Sequence, residues 1–318
     1  MPNLTATDIE SLCDNWCAAS SMGGLGPDSE TAEFRLLKNG VVFHELDHET
    51  LCRTLISLSK VLLRPGFNSI TSNDHMFAWS WCGQLLVTSP SSIFADEQRE
   101  IQSLYQASIH AALAGCRKPP QNGDELRKQL DDERTHHSKH ANQLLEHSSL
   151  VLAYLTFPLL EAVLKRACAN YVALDGYVLK PFSVPDPKNP LTSVEYRPAG
   201  APGKGKKRCN SLRDFLFLHS TYVALPDHKN LLDLFRSHLS NLDKTQDPFD
   251  LIYGWRNQSL HGSTNFQTIG GTMLSLALLI SLFEIQQDFE ERRLKTVDYF
   301  MWIAQLRSLS AWSFYPPY

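Results

Sequence analysis

Arg256-Asn257-Gln258-Ser259-Leu260-His261-Gly262 sets a permanent cation, an amide and a titratable imidazole within about two helical turns. At about 100° per residue, Asn257 and His261 share one helical face and Arg256 sits one step round from Asn257. One helix end can therefore present all three groups to a single phosphate. Arg256 offers forked donors to phosphate oxygens whose charge builds in a transition state, and His261 is the side chain whose ordinary pKa allows proton transfer near neutrality. Gly262 suits the position that closes a helix, which leaves His261 in the last turn, where the helix dipole favours the imidazolium. This is chemistry for phosphodiester cleavage without a metal, with His261 as general acid for a leaving alkoxide and Asn257 orienting either partner. The same residue types also end helices for structural reasons alone, because Arg and His complement the dipole and Asn tolerates left-handed geometry.

The surrounding elements read as bundle helices. Asp247-Pro248-Phe249-Asp250 is a helix start, with Asp at the N-cap, Pro at the first helical position and a second carboxylate in the first turn, so the helix carrying the cluster runs from about Asp247 to His261. Before it, Leu231, Phe235, Leu239 and Leu242 recur at helical spacing after the start at Pro226-Asp227, and Ser211-Leu212-Arg213-Asp214 resembles a capping box. After it, Ile269, Met273, Leu276, Ile280 and Phe283 make an apolar stripe of helical period. Residues Ser148 to Tyr171 are apolar on several faces, with Pro158 expected to kink or divide the helix. The run from Leu150 to Leu160 is too short and interrupted for a membrane span.

Between these helices, Lys180 to Cys209 is rich in proline, glycine and lysine. Arg197, Lys204, Lys206, Lys207 and Arg208 bring five positive charges with no acidic residue from 197 to 208, which suits an RNA backbone; a flexible insertion is the competing reading. Lys207 stands where a phosphate-binding loop needs Ser or Thr, so no NTPase loop is read there.

The N-terminal part is mixed. A helix-like stretch begins at Thr7, Phe34 to Phe43 reads as two short strands around Asn39-Gly40, and helical spacing returns at Leu51, Leu55, Leu58 and Leu62 and again from Ile101 to Ile109. Phe77, Trp79 and Trp81 could stack on bases but fit a core better. The segment from Arg117 to Glu146 opens with Pro119-Pro120 and carries both charge signs, so it reads as an exposed connecting helix. Within it, Asp132, His136 and His140 have metal-compatible spacing but no Glu beside the first His, and a solvated polar face is the better reading. The last stretch, Val297 to Tyr318, holds aromatics that either dock back onto the N-terminal part or fill a subunit interface.

With 318 residues, 43% of them hydrophobic, the chain can bury a substantial core. A net charge of -4 excludes a generally basic surface, so any RNA contact must be local. Seven cysteines without regular spacing point to structural thiols and a reducing, cytoplasmic compartment.

Arg-Asn, three residues and His-Gly, set between a helix and a long apolar helix, resembles the signature of the HEPN superfamily (higher eukaryotes and prokaryotes nucleotide-binding), which is Arg, four to six residues, then His. The similarity spans roughly residues 145 to 295. The resemblance, joined to the residue readings of the flanking segments, gives the expectation of a mainly α fold: an N-terminal mixed, mostly helical domain over 1–116, read as sensory or regulatory, and a charged connecting helix over 117–146. A HEPN-like helical domain over 147–295 then carries an insertion at about 180–210, and an aromatic docking segment follows over 296–318. It further implies a metal-independent endoribonuclease, without cofactor, that leaves a 2′,3′-cyclic phosphate, with Arg256 and His261 as the catalytic pair and Asn257 as their polar companion. Glu161, in the first helix of that domain, is the candidate for a residue facing the pair; a solvated helix glutamate is its other reading. The resemblance also implies homodimerisation and a toxin or antiviral setting, with RNA as substrate, a regulatory protein as a further partner and no membrane. A non-catalytic HEPN-fold scaffold that binds RNA or protein is the alternative, and a metal-dependent enzyme built on His136 and His140 ranks last.

Overall fold

The computed structural model describes residues 4–21, 32–63, 72–94, 98–114, 123–124, 127–128, 147–189, 191–259, 266–306 and 314–317. They form a mainly α fold. The N-terminal part supplies α1 (Ala6–Ser21), α2 (His48–Leu63), α3 (Asn73–Gly83, continued by a π-helical turn to Thr88) and α4 (Arg99–Ala114). After the connecting segment come α5 (Ser148–Ala167), the antiparallel strands β1 (Phe182–Pro185) and β2 (Ser193–Tyr196), α6 (Leu212–Leu218) and α7 (Pro226–Ser240). The chain continues through α8 (Pro248–Ser259), α9 (Phe266–Glu284) and α10 (Phe289–Leu306).

The centre of the molecule is α9. Its apolar stripe, Ile269, Met273, Leu276, Ile280 and Phe283, is buried, but so are Leu274, Ala277, Leu278 and Leu282 on its other faces. A helix hydrophobic all round must be enclosed, and here α5 covers one side while α2, α3 and α4 cover the other. Two glycines permit the close approach. A Cβ on Gly270 would stand 2.9 Å from the backbone nitrogen of Ala153 in α5, and one on Gly271 would stand 2.8 Å from Leu62 Cδ1 in α2. Trp79 donates from its indole to Ser275 Oγ at 2.9 Å, so the aromatic cluster of α3 is core, with Trp79 and Trp81 fully buried on a helix. Among the described residues, buried apolar side chains before and after 117–146, from Ile9 to Tyr315, belong to one core cluster.

The connecting segment, with Asp132, His136 and His140, lies outside the described residues apart from two helical pairs at 123–124 and 127–128.

The strands expected at Phe34 to Phe43 are not formed; short 3₁₀ turns at Ala32–Phe34, Leu37–Asn39 and Phe43–Glu45 stand there instead. The Asp74 carboxylate takes the amides of Leu36 and Leu37 at 2.9 and 3.2 Å, and the Asn39 side chain donates to the carbonyls of Glu33 and Arg35. Donors that a hairpin ladder would use are therefore already satisfied within a turn closed by Gly40 at φ 83°.

Helix α5 runs unbroken through Pro158, whose ring lies on its exposed face, so neither a boundary nor two separate helices occur. It is the one single helix among the described residues long and apolar enough to cross a membrane. Here it packs against α9 and α4.

The C-terminal aromatics Phe314 and Tyr315 dock onto the N-terminal part. The Phe314 amide donates to Gln84 Oε1 at 3.2 Å, Tyr315 Oη meets His44 Nδ1 at 2.9 Å, and both rings are buried.

Candidate functional site

Helix α8 is placed from its first turn. Asp247 accepts the Phe249 amide at 2.8 Å, as an N-cap should, and its other oxygen takes Arg236 of α7 at 2.7 Å. The Arg236 guanidinium also lies over the Phe249 ring at 4.6 Å. Phe249 and Ile252 are buried, and Arg256 and Asn257, further along, are half-buried. The described helix ends at Ser259, and Leu260, His261 and Gly262 lie outside the described residues.

Arg256 faces α5. Its Nη2 lies 3.7 Å from Glu161 Oε2, and Glu161 Oε1 takes Lys165 Nζ at 3.0 Å. One carboxylate therefore stands between two cations. Around them is a pocket of about 330 Å³ lined by Tyr154, Phe157, Pro158, Glu161, Ala162, Lys165 and Arg256. The structure thus brings two of the sequence-derived residues, Arg256 and Glu161, together. Lys165 and Tyr154 were not singled out from the sequence, and Pro158 was read there only as a kink or boundary. The signal was there: Tyr154, Pro158, Glu161 and Lys165 step by four, three and four residues along one helical face.

The insertion is ordered rather than loose. β1 and β2 pair from Phe182–Tyr196 to Pro185–Ser193, and the Phe182 and Tyr196 rings stack at 4.6 Å. Its basic residues are folded into it. Arg197 donates to the Pro202 carbonyl at 3.1 Å and pairs with Glu195 at 3.7 Å, and Lys207 donates to the Pro198 carbonyl at 3.0 Å. Lys206 lies over Tyr196 at 5.6 Å and Arg208 over Tyr177 at 4.1 Å, while Lys204 is exposed on the loop. None of Lys204, Lys206, Lys207 and Arg208 lines the Arg256 pocket.

A buried ionic network ties this insertion to α8. Arg213, whose side chain is 4% exposed, pairs with Asp250 of α8, donates to Asp214 at 3.1 Å and to the Pro185 carbonyl at 2.8 Å, and lies over Phe217. Burial pulls its pKa down, but the carboxylates of Asp250 and Asp214 outweigh it and hold the guanidinium above its ordinary value. Tyr196 donates to Asp214 at 2.6 Å, and burial together with that carboxylate raises the phenol. Ser211 caps α6 by accepting the Asp214 amide at 3.4 Å, but the reciprocal half of a capping box is missing because the Asp214 side chain is committed to Tyr196 and Arg213. Nothing in residue spacing marks Arg213 as buried; its depth comes from the folding of the insertion over α6.

Arg256, Glu161 and Lys165 can together hold an anion edge-on beside an apolar wall. No family model, no curated protein and no solved structure matches this chain.

Proposed function

We propose that the chain is a metal-independent endoribonuclease of the HEPN type, with Arg256 and His261 as its catalytic pair. The observation that supports this reading best is the pairing of Arg256 on α8 with Glu161 and Lys165 on α5 around a pocket open to a phosphate and its base. In the proposed reaction the RNA 2′-oxygen bonds to the adjacent phosphorus as its proton passes to a solvent water, and the bond from phosphorus to the 5′-oxygen breaks. His261 gives a proton to that leaving oxygen, and the products are a 2′,3′-cyclic phosphate and a 5′-hydroxyl. Arg256 offsets the charge on the crowded phosphorus, Asn257 orients the partners, and Glu161, itself paired with Lys165, steadies the guanidinium. Lys204 and the basic residues beside it, on the surface of the insertion, serve a more distant stretch of RNA backbone.

The wider setting proposed is a cytoplasmic homodimer acting in a toxin or antiviral role, with a protein partner that restrains it. Cys13, Cys52, Cys82, Cys168 and Cys209 are buried thiols, which suits a reducing compartment.

A second reading, a binding scaffold of the same fold, draws on the same ion pair. A guanidinium already engaged by a carboxylate has less to offer a phosphate in a transition state. The two readings part on an RNA oligonucleotide carrying a single 2′-deoxyribose at its main cleavage position. The nuclease reading expects cleavage to vanish at that position alone and cyclic-phosphate ends elsewhere. Cleavage that persists at the deoxy position, or that leaves linear phosphate ends, would overturn it.

A further inference from the structure

The geometry points to a base-selective pocket: Glu161, Tyr154 and Pro158 take a guanine of the RNA beside the phosphate that Arg256 binds. This rests on the ribonuclease reading and names the substrate feature its site selects. The pocket combines three surfaces that match the three parts of a nucleotide. Tyr154 and Pro158 are exposed on α5 one turn apart, and with Phe157 and Ala162 they make an apolar wall for the flat face of a base. Arg256 and Lys165 carry the positive charge that a phosphate needs. Glu161, between Lys165 and Arg256, is the carboxylate of the pocket, and it accepts hydrogen bonds only.

An acceptor-only pair of oxygens discriminates among bases. Guanine presents N1–H and N2–H side by side, and both can reach one carboxylate in a charge-assisted, two-pronged contact. Adenine and cytosine each present one amino group beside a ring nitrogen acceptor that repels a carboxylate, and uracil presents one N–H between two carbonyl oxygens. A carboxylate has about four lone-pair sites, so Lys165 on Oε1 at 3.0 Å and Arg256 beyond Oε2 at 3.7 Å leave one site on each oxygen of Glu161 for the two guanine donors. The pocket volume of about 330 Å³ is of the size that small-molecule sites have.

The test is equilibrium binding of GMP, AMP, CMP and UMP to the full chain in EDTA, which needs no cleavage. GMP should bind about tenfold more tightly than the other three. Glu161→Gln should bring the four within about twofold of one another, because its amide presents donors as well as an acceptor. Tyr154→Ala should weaken all four alike, and Tyr154→Phe should restore them; since Tyr154 is surface-exposed, this pair keeps the test valid if Glu161→Gln folds poorly. Equal affinities in the wild type, binding by none, or a GMP preference that survives Glu161→Gln would each overturn the proposal. Cleavage of RNA without regard to base would also sink the pocket and spare the nuclease, whereas a GMP preference without any cleavage would sink the nuclease and spare the pocket.

Discussion

Arg256 Nη2 on α8 stands 3.7 Å from Glu161 Oε2 on α5, and that ion pair joins the Arg/Asn/His cluster to the helix that lies against the central α9. Both partners are partly open, with side chains 37% and 22% exposed, so the pair contributes little to stability, on the order of 1 kcal/mol or less. Its consequence is positional. The guanidinium lines a pocket shared with α5, and the elements that place its helix are the Asp247 cap, the Arg236 bridge and the Arg213 network.

Removing Arg213 should be the most damaging single change near the site. Arg213→Ala leaves Asp250 and Asp214 without their cation in a buried setting, a loss of about 3–5 kcal/mol. Tyr196→Phe, which removes one hydrogen bond to Asp214, should cost about 1 kcal/mol. Denaturant titration checks both, and equal effects would show that the network is not organised around Arg213.

Two glycines should respond to alanine with opposite signs. A Cβ on Gly254, in the middle of α8, meets nothing within 4 Å, so Gly254→Ala should stabilise the protein by about 0.5–1 kcal/mol. Gly270→Ala forces a Cβ to within 2.9 Å of the Ala153 backbone and should destabilise it by about 1–3 kcal/mol. Thermal melts of the two variants read the contrast directly.

Much of this could be anticipated from the sequence, and the omissions have physical causes. Helix starts at Asp247-Pro248 and Pro226 were legible because capping chemistry is local. Burial of α9 on every face was not, since its second cover comes from α2, α3 and α4, more than 150 residues earlier in the chain. The turns at Ala32–Glu45 were misread as strands because Asn39-Gly40 is a hairpin signal, and Asp74 overrides it from 35 residues away. The order of the insertion was hidden for the same reason: the Phe182–Tyr196 stack and the Arg213 network are long-range partners that a composition rich in Pro, Gly and Lys does not announce. At the site, Arg256 was legible from the cluster itself; Tyr154 and Lys165 share a helical face with Glu161 in the sequence, but that this face meets α8 is a long-range fact that spacing does not carry.

Acid should destabilise the fold through two enclosed histidines. His75, between Ser72 and the Leu58 carbonyl, and His219, beside Phe283, are both pushed down to about 4 by burial. A histidine with a depressed pKa contributes stability that is complete above its unfolded pKa of about 6.5 and is lost as pH falls toward the folded value. Between about pH 6 and pH 4.5 each should therefore take away roughly 1.4 kcal/mol per pH unit. Asp74 and Glu284, whose carboxyls burial pushes up, act in the opposite direction at the acid end. His75→Gln should flatten the pH dependence of the denaturant midpoint, and an unchanged slope would remove His75 from the account.

The central claim meets its most direct test in the cleavage of RNA in EDTA by the wild type, Arg256→Ala and His261→Ala, each shown by circular dichroism to keep its helical content. The account predicts cyclic-phosphate products from the wild type and a loss of at least about 10²-fold in rate for either variant. Equal rates for all three would contradict it and place any cleavage elsewhere on the molecule.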